Sequence, residues 1–358
     1  MTPPSPVRVM IVEDSAVVRQ LLVHIVGSDP RFHIVSAVGS AEEALASLAG
    51  AAPDVISMDI RLPGMDGLEA TRRIMSERPT PIVVFADAVE DQSLKISLNA
   101  LRAGALTVVE KPVGLGAASH ADIAHTICTQ LYIMSSVPVI RRREVAAAAA
   151  AAAATQPPRL RPSPGLARLD YVAIAASTGG PPALARVLEA LPEDFPAPVL
   201  LVQHMGNAFM EGFAAWLDGL VPMRSALAQD REPALPGRIY VAPGDRHLTL
   251  DAEGRLRLTL APPVRGHRPS ATPLFSSLAA SAGPRSLGVI LTGMGEDGAS
   301  GLLELRSAGG HTIAEAASSA VVYGMPAAAV ALGAASEIMA LEDISARILA
   351  LAARGRAP

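Results

Sequence analysis

Along the first 130 or so residues, apolar positions fall in short continuous runs separated by stretches with helical spacing. Strand-like runs lie at residues 7–12, 32–38, 55–58, 82–85 and 106–109, and the segments between them repeat every three to four residues. The helix boundaries are well marked. Ser15 precedes the pattern at 16–26, Ser40-Ala-Glu-Glu43 is a capping box, and Pro79 closes 68–77. Five strand–helix units predict an α/β fold with a doubly wound parallel sheet. The alternation resumes after residue 168, with strand-like runs at 172–176, 199–203, 238–242, 287–292 and 312–314. A second doubly wound α/β domain is therefore expected. Between the halves, Arg141-Arg-Arg-Glu144 runs into the alanines at 146–154 and then Thr155-Gln-Pro-Pro-Arg-Leu-Arg-Pro-Ser-Pro-Gly165. Alanine favours helix but offers little to pack, and the prolines force extended chain, so this reads as a semi-rigid spacer. The expected domains are 1–134 and 168–354, with a linker at 135–167.

Composition removes several classes of function. A net charge of -4 over 358 residues gives no basic footprint for nucleic acid or anionic membrane. The single cysteine, Cys128, excludes an internal disulfide and fits a reducing compartment. No apolar run approaches the roughly 18 residues of a membrane span, and no signal peptide opens the chain, so a cytoplasmic location without membrane insertion is expected. Lysine occurs only at Lys95 and Lys111. The second half therefore offers no ammonium for a Ser-Lys pair, a Schiff base or a P-loop.

Ligands of a doubly wound sheet sit beyond the carboxyl ends of the strands. In the first half that position holds Glu13 and Asp14, Asp59, and Lys111. Three converging carboxylates repel one another unless a cation lies between them, and Mg²⁺ is the natural hard, oxygen-seeking occupant. Lys111 then supplies positive charge for a phosphoryl group.

The second half centres on Tyr171-Val-Ala-Ile-Ala-Ala-Ser177-Thr-Gly-Gly-Pro-Pro182, which reads as strand, tight turn and a helix at 183–191. A serine there is lifted clear of the sheet, beside unpaired amides able to hold an oxyanion. The same stretch could instead cap the helix or cradle a phosphate. Ser177, His204 and Asp297 each come after a different strand, so they could meet at one rim as nucleophile, base and orienting carboxylate. Of eight histidines, His204 alone directly succeeds an apolar run at a strand's carboxyl terminus, although a purely structural role is as common for such a residue. Gly293-Met-Gly-Glu-Asp-Gly298 also spells a dinucleotide fingerprint, with Glu315 at the spacing of a ribose-binding acid. Two carboxylates in its turn argue against a pyrophosphate.

Several motifs carry a family resemblance. Ile11-Val-Glu-Asp-Ser15, Met58-Asp-Ile-Arg-Leu-Pro-Gly-Met-Asp-Gly67 and Glu110-Lys-Pro112 resemble response-regulator receiver domains, of flavodoxin-like fold. The resemblance implies Asp59 as phosphoacceptor from a histidine kinase. It also implies Mg²⁺ on Glu13, Asp14 and Asp59 with the Arg61 carbonyl, and Lys111 as the phosphoryl contact. Ala86 stands where that family has Ser or Thr, which implies weaker activation by phosphorylation. Ala173-Ile-Ala-Ala-Ser-Thr-Gly-Gly-Pro181, Gln203-His-Met205, Tyr240-Val-Ala-Pro-Gly244, His267-Arg-Pro-Ser270, Leu291-Thr-Gly-Met-Gly-Glu-Asp-Gly298 and Val322-Tyr-Gly-Met-Pro326 resemble the catalytic domain of the CheB family of chemotaxis methylesterases. That likeness implies hydrolysis of γ-glutamyl methyl esters on methyl-accepting chemoreceptors, releasing methanol, and deamidation of receptor glutamines. By motif position Ser177 is the nucleophile, His204 the base and Asp297 its orienter, with Thr178 and Met294 at the oxyanion. No cofactor is implied for the esterase. A kinase of the CheA type, a monomeric state, and a receiver that covers the cleft until phosphorylated are further expectations. Gly206, Thr272-Pro273 and Glu315-Ala316 depart from the family pattern. A receiver-controlled binding module and a general carboxylesterase are the alternative readings.

Overall fold

The computed structural model describes residues 5–86, 100, 105–112, 117–137 and 168–353. The arginine, alanine and proline motifs of the spacer lie outside the described residues. The chain divides into two compact units, each described by itself.

Among its described residues the N-terminal unit keeps the predicted alternation. Its elements are β1 (Val7–Val12), α1 (Ala16–Gly27), β2 (Phe32–Val38), α2 (Ala41–Ala51), β3 (Val55–Asp59), α3 (Gly67–Glu77), β4 (Ile82–Ala86), β5 (Thr107–Glu110) and α4 (Ala117–Ser135). The strands pair in parallel in the order β2-β1-β3-β4-β5. The predicted caps form. Ser15 accepts from the Val18 amide, and Ser40 accepts from the Glu43 amide while Glu43 reaches back to Gly39. β3 and β4 are buried throughout, as strands covered on both faces must be. Cys128 is a core residue, its thiol directed at the Ile25 carbonyl.

The C-terminal unit is built on a seven-stranded sheet of β6 (Tyr171–Ala176), β7 (Val199–Gln203), β8 (Arg224–Leu227), β9 (Arg238–Val241), β12 (Ser286–Ile290), β13 (His311–Glu315) and β14 (Glu337–Met339). Its order is β14-β13-β12-β6-β7-β9-β8, with every pair parallel. A separate antiparallel hairpin is formed by β10 (His247–Leu250) and β11 (Leu256–Thr259). The helices are α5 (Gly180–Leu188), α6 (Asn207–Asp218), α7 (Ala271–Ser281), α8 (Ala299–Ser307), α9 (Met325–Ala331) and α10 (Leu341–Ala353). The chain runs outward from β6 through β7, then returns to β12 on the opposite side. The point of reversal lies at β6, where a doubly wound sheet opens its crevice.

Packing aims α7 at that crevice. Phe275 of α7 is fully buried and lies over Gly288 of β12, where any side chain would collide with Leu302 and Leu305 of α8. Phe275→Ala would cost about 3–5 kcal/mol and loosen the seat of the α7 N-terminus. The helix predicted from residue 183 instead starts at Gly180, because Pro181 and Pro182 fall in the first turn, where a missing N–H leaves no bond unmade. Among the described residues no helix is long and apolar enough to cross a membrane.

Candidate active site

In the N-terminal unit, β1 and β3 are adjacent and their ends bring Glu13, Asp14 and Asp59 together. One carboxylate oxygen of each lies within 4.8 Å of the others. Lys111, just past β5, places its ammonium 2.8 Å from Asp59 Oδ2 and 2.9 Å from Glu13 Oε2. Burial pushes the Glu13 carboxyl up to about 7, with the charge of Asp59 adding to it and Lys111 opposing it. Burial raises Asp59 as well, again against Lys111. Three hard oxygen donors, two of them on buried side chains, suit a small divalent cation. Ala86 ends β4 fully buried, and its carbonyl accepts from the Lys111 amide at 3.1 Å.

In the C-terminal unit, Ser177, His204 and Asp297 come after β6, β7 and β12. Ala176 pairs with Gln203, so one residue further Ser177 stands opposite His204 on strands about 4.8 Å apart. The His204 amide donates to the Ala176 carbonyl at 3.0 Å, which carries the ladder one step past the sheet. Gln203 ties the two segments together. Its buried Nε2 donates to the carbonyls of both Ser177 and His204 at 2.9 Å. From the other side, the Ser177 amide donates to the carbonyl of Thr292, two residues past β12. The turn that lifts Ser177 needs Gly179, at φ +75°, where a Cβ would strike Val321.

His204 Nε2 lies 2.8 Å from Asp297 Oδ2. The carboxylate can only accept, so the imidazole proton sits on Nε2 and Nδ1 carries the lone pair. Nδ1 is buried with no hydrogen-bond partner among the described residues. Asp297 is itself saturated: Ser270 Oγ donates to Oδ1 at 2.5 Å, Thr272 Oγ1 donates to Oδ1 at 3.0 Å, and the Ala271 amide donates to Oδ2 at 2.7 Å. Despite burial, which alone would raise it, these donors and His204 hold the Asp297 carboxyl far below the carboxylate range. It remains an anion, able to orient His204 without taking its proton.

Thr178 and Met294 flank the serine. Thr178 is buried, and its carbonyl accepts from Thr292 Oγ1 at 2.9 Å. A side chain at Gly293 would meet Ser177 Cβ at 2.8 Å, so the chain leading into Met294 passes directly against the serine. No acceptor among the described residues takes the amide N–H of Thr178 or Met294. Two free amide donors on the segments that flank Ser177, with His204 on the neighbouring strand end, are the parts a site needs to attack a carbonyl and hold the charge that develops on its oxygen.

The structure, like the two carboxylates in its turn, speaks against a dinucleotide site at 293–298. Asp297 turns inward to the start of α7, and Glu315 is fully buried, accepting from the Thr292 amide at 2.7 Å and the Ser319 hydroxyl at 3.0 Å. Neither Asp297 nor Glu315 is free for a ribose there. The hydrogen-bond donors on Asp297 and the role of Gln203 are not visible in sequence. The nearest signal the chain offers is a serine, Ser270, directly before a stretch of helical spacing. His267 is a further addition, its ring stacked on His204 with centroids 4.0 Å apart and planes 3° from parallel. His247, which could have lined the cleft, is instead buried behind Ser270, accepting that residue's amide at 3.2 Å.

Comparison with known proteins identifies the family of each half. The family model for CheB methylesterase matches residues 172–348, and the model for the response regulator receiver domain matches residues 9–120. A protein-glutamate methylesterase/protein-glutamine glutaminase of Paramagnetospirillum magneticum is 51% identical over 349 residues, covering 98% of each chain. One from Myxococcus xanthus is 46% identical over 96% of each. The crystal structure of the Thermotoga maritima CheB methylesterase catalytic domain, 35% identical, superposes with a TM-score of 0.50 over 51% of this chain and 98% of that one.

Proposed function

Because this chain belongs to the CheB methylesterase family and carries a response regulator receiver domain, we propose that it hydrolyses glutamate γ-methyl esters on chemoreceptors under control of phosphorylation. The relatives' names pair this activity with glutaminase, and the same site can deamidate receptor glutamines. The observation that supports the assignment of residues is the buried, unpartnered Nδ1 of His204, on the residue that stands opposite Ser177 just past paired strands, while Asp297 holds the proton on Nε2.

In the reaction, Ser177 Oγ attacks the ester carbonyl carbon and its proton passes to His204 Nδ1. The amides of Thr178 and Met294 hold the oxyanion. Collapse of the tetrahedral intermediate breaks the carbon–methoxy bond, and Nδ1–H protonates the leaving oxygen to give methanol. Water, losing a proton to the same nitrogen, then cleaves the acyl-serine and frees the glutamate. With glutamine the leaving group is ammonia. Gln203 and the Asp297 network keep both partners in place throughout.

In the receiver, Asp59 is the phosphoacceptor. Glu13, Asp14 and Asp59 would hold Mg²⁺, which supplies charge neutralisation for the incoming phosphoryl group. Lys111 provides the second positive contact, and a histidine kinase of the CheA type is the donor. The enzyme acts as a monomer.

Methanol release from methylated receptor membranes, compared with release from small synthetic methyl esters, tests the reading. Ser177→Ala should abolish both with the fold intact by circular dichroism. Turnover confined to small esters would make the chain a general carboxylesterase, and no turnover by the wild type would make it a binding module.

A further inference from the structure

The hydroxyl of Thr272 has a forced direction. It accepts from the Gly298 amide at 2.9 Å, so its one proton is left for Asp297 Oδ1 at 3.0 Å. We propose that Thr272 is a positioning residue for the hydrolysis, fixing the Asp297 carboxylate and thereby setting how strongly His204 holds the proton it takes from Ser177. This rests on the assignment of Ser177, His204 and Asp297 as nucleophile, base and orienting carboxylate.

Two of the other donors on Asp297 are explained by helix capping alone. Ser270 caps α7, taking the Thr272 amide at 3.2 Å, and the Ala271 amide is an unpaired first-turn donor of that helix. Thr272 differs, because capping asks for no hydroxyl at its position and a valine has the same shape. Its side chain spans two successive residues of the next turn, the Asp297 carboxylate and the Gly298 amide. Gly298 sits at φ +87° and caps α8, so the link fixes the carboxylate relative to the turn it stands on.

Among the described residues the charges around the pair are few. His267 stacks on His204, and burial holds its imidazole below its usual value, so it faces the base as a neutral ring. His247 accepts the Ser270 amide at Nδ1 and donates to the Pro262 carbonyl from Nε2, which fixes it as neutral. Arg265 and Glu296 pair with each other at the exposed edge. Among the described residues, Asp297 Oδ1 is therefore tuned by the Ser270 and Thr272 hydroxyls, with the Thr272 amide at 3.4 Å, rather than by a cation. Each hydroxyl spreads the negative charge of the carboxylate and weakens its grip on the imidazolium. Without Thr272 Oγ1 the carboxylate is freer to turn, and where it does meet His204 it holds the protonated ring more tightly.

The test compares Thr272→Val with Thr272→Ser, using methanol release per active site counted by a serine-directed phosphonylating reagent. In T272V, kcat should fall by about tenfold, the order expected for one hydrogen bond to a charged group, with KM unchanged. The acid limb of the kcat/KM profile should move to higher pH by on the order of half a unit. T272S should restore both. A merely structural role would lower the melting temperature of T272V and leave kcat per site and the acid limb where they were, and that result would overturn the proposal. If Ser177→Ala is inactive while T272V is unaltered, only this inference fails; if Ser177→Ala is active, the underlying reading fails.

Discussion

Replacing Asp297 by asparagine removes the charge that the site is arranged around while keeping its shape. The imidazole Nε2 lies 2.8 Å from Oδ2, which puts the two charges roughly 4 Å apart once His204 is protonated. At an effective dielectric constant of about 20 that separation is worth about 4 kcal/mol, or about a thousandfold in rate. Asparagine has one orientation open to it. With nitrogen at the Oδ2 position it would confront two donors, the imidazole N–H and the Ala271 amide. With nitrogen at Oδ1 it meets the Ser270 hydroxyl, which can turn to accept, and the Thr272 hydroxyl, which can accept through its second lone pair once its proton gives up Asp297, so this orientation costs less than the other. Asp297→Asn should therefore fold and keep His204 in place, while kcat for methanol release falls about a thousandfold and KM stays the same. Stability should change in a defined direction too. The folded carboxyl is held below its ordinary value of 3.8, so its contribution is full above that value and is lost as pH falls below it. The variant should lose less stability than the wild type on acidification through that range, measured by urea denaturation. A kcat within tenfold of wild type would refute the reasoning.

Three other outcomes rest on contacts of the same kind. Folded Glu13, held at about 7, binds its proton more tightly than the unfolded chain, so the metal-free receiver should lose stability as pH rises from 4.5 through that value. Mg²⁺ needs the ionised form, so its affinity by calorimetry should rise up to about tenfold per pH unit below that value and level off above it; a flat profile would contradict the raised carboxyl. Ala86→Thr should increase the gain in methanol release on phosphorylation of Asp59, and an unchanged gain would show that the missing hydroxyl does not limit coupling. Gln203→Leu strips the Ser177 and His204 carbonyls of a shared buried donor, so it should cost about 1–3 kcal/mol in urea denaturation and lower kcat; full stability would mean that the clamp is idle.

Much of this was legible in the chain itself, for a physical reason. Parallel strands buried on both faces must be apolar throughout, so β1, β3, β4, β6 and β7 announce themselves, and the residues just past each strand's carboxyl end lie at the crevice. Ser177, His204, Asp297, Asp59 and Lys111 could be placed that way. The edge strands β8 and β14 and the β10–β11 hairpin could not, being three or four residues long and mixed in character. The tautomer of His204 was hidden for a different reason. It depends on which ring nitrogen reaches Asp297, and that is settled by the docking of α7, more than twenty residues away in sequence, against the turn after β12. The stacking of His267 on His204 belongs to the same tertiary layer and leaves no periodic trace.

The central claim is that Ser177 carries the acyl group. Acid-quenching the wild-type enzyme during turnover of a glutamyl methyl ester peptide, with peptide mass mapping of the quenched protein, addresses it most directly. An acyl ester on the peptide containing Ser177, absent when Ser177 is alanine, is the predicted result. An adduct on any other residue, or undiminished methanol release by Ser177→Ala, would contradict it.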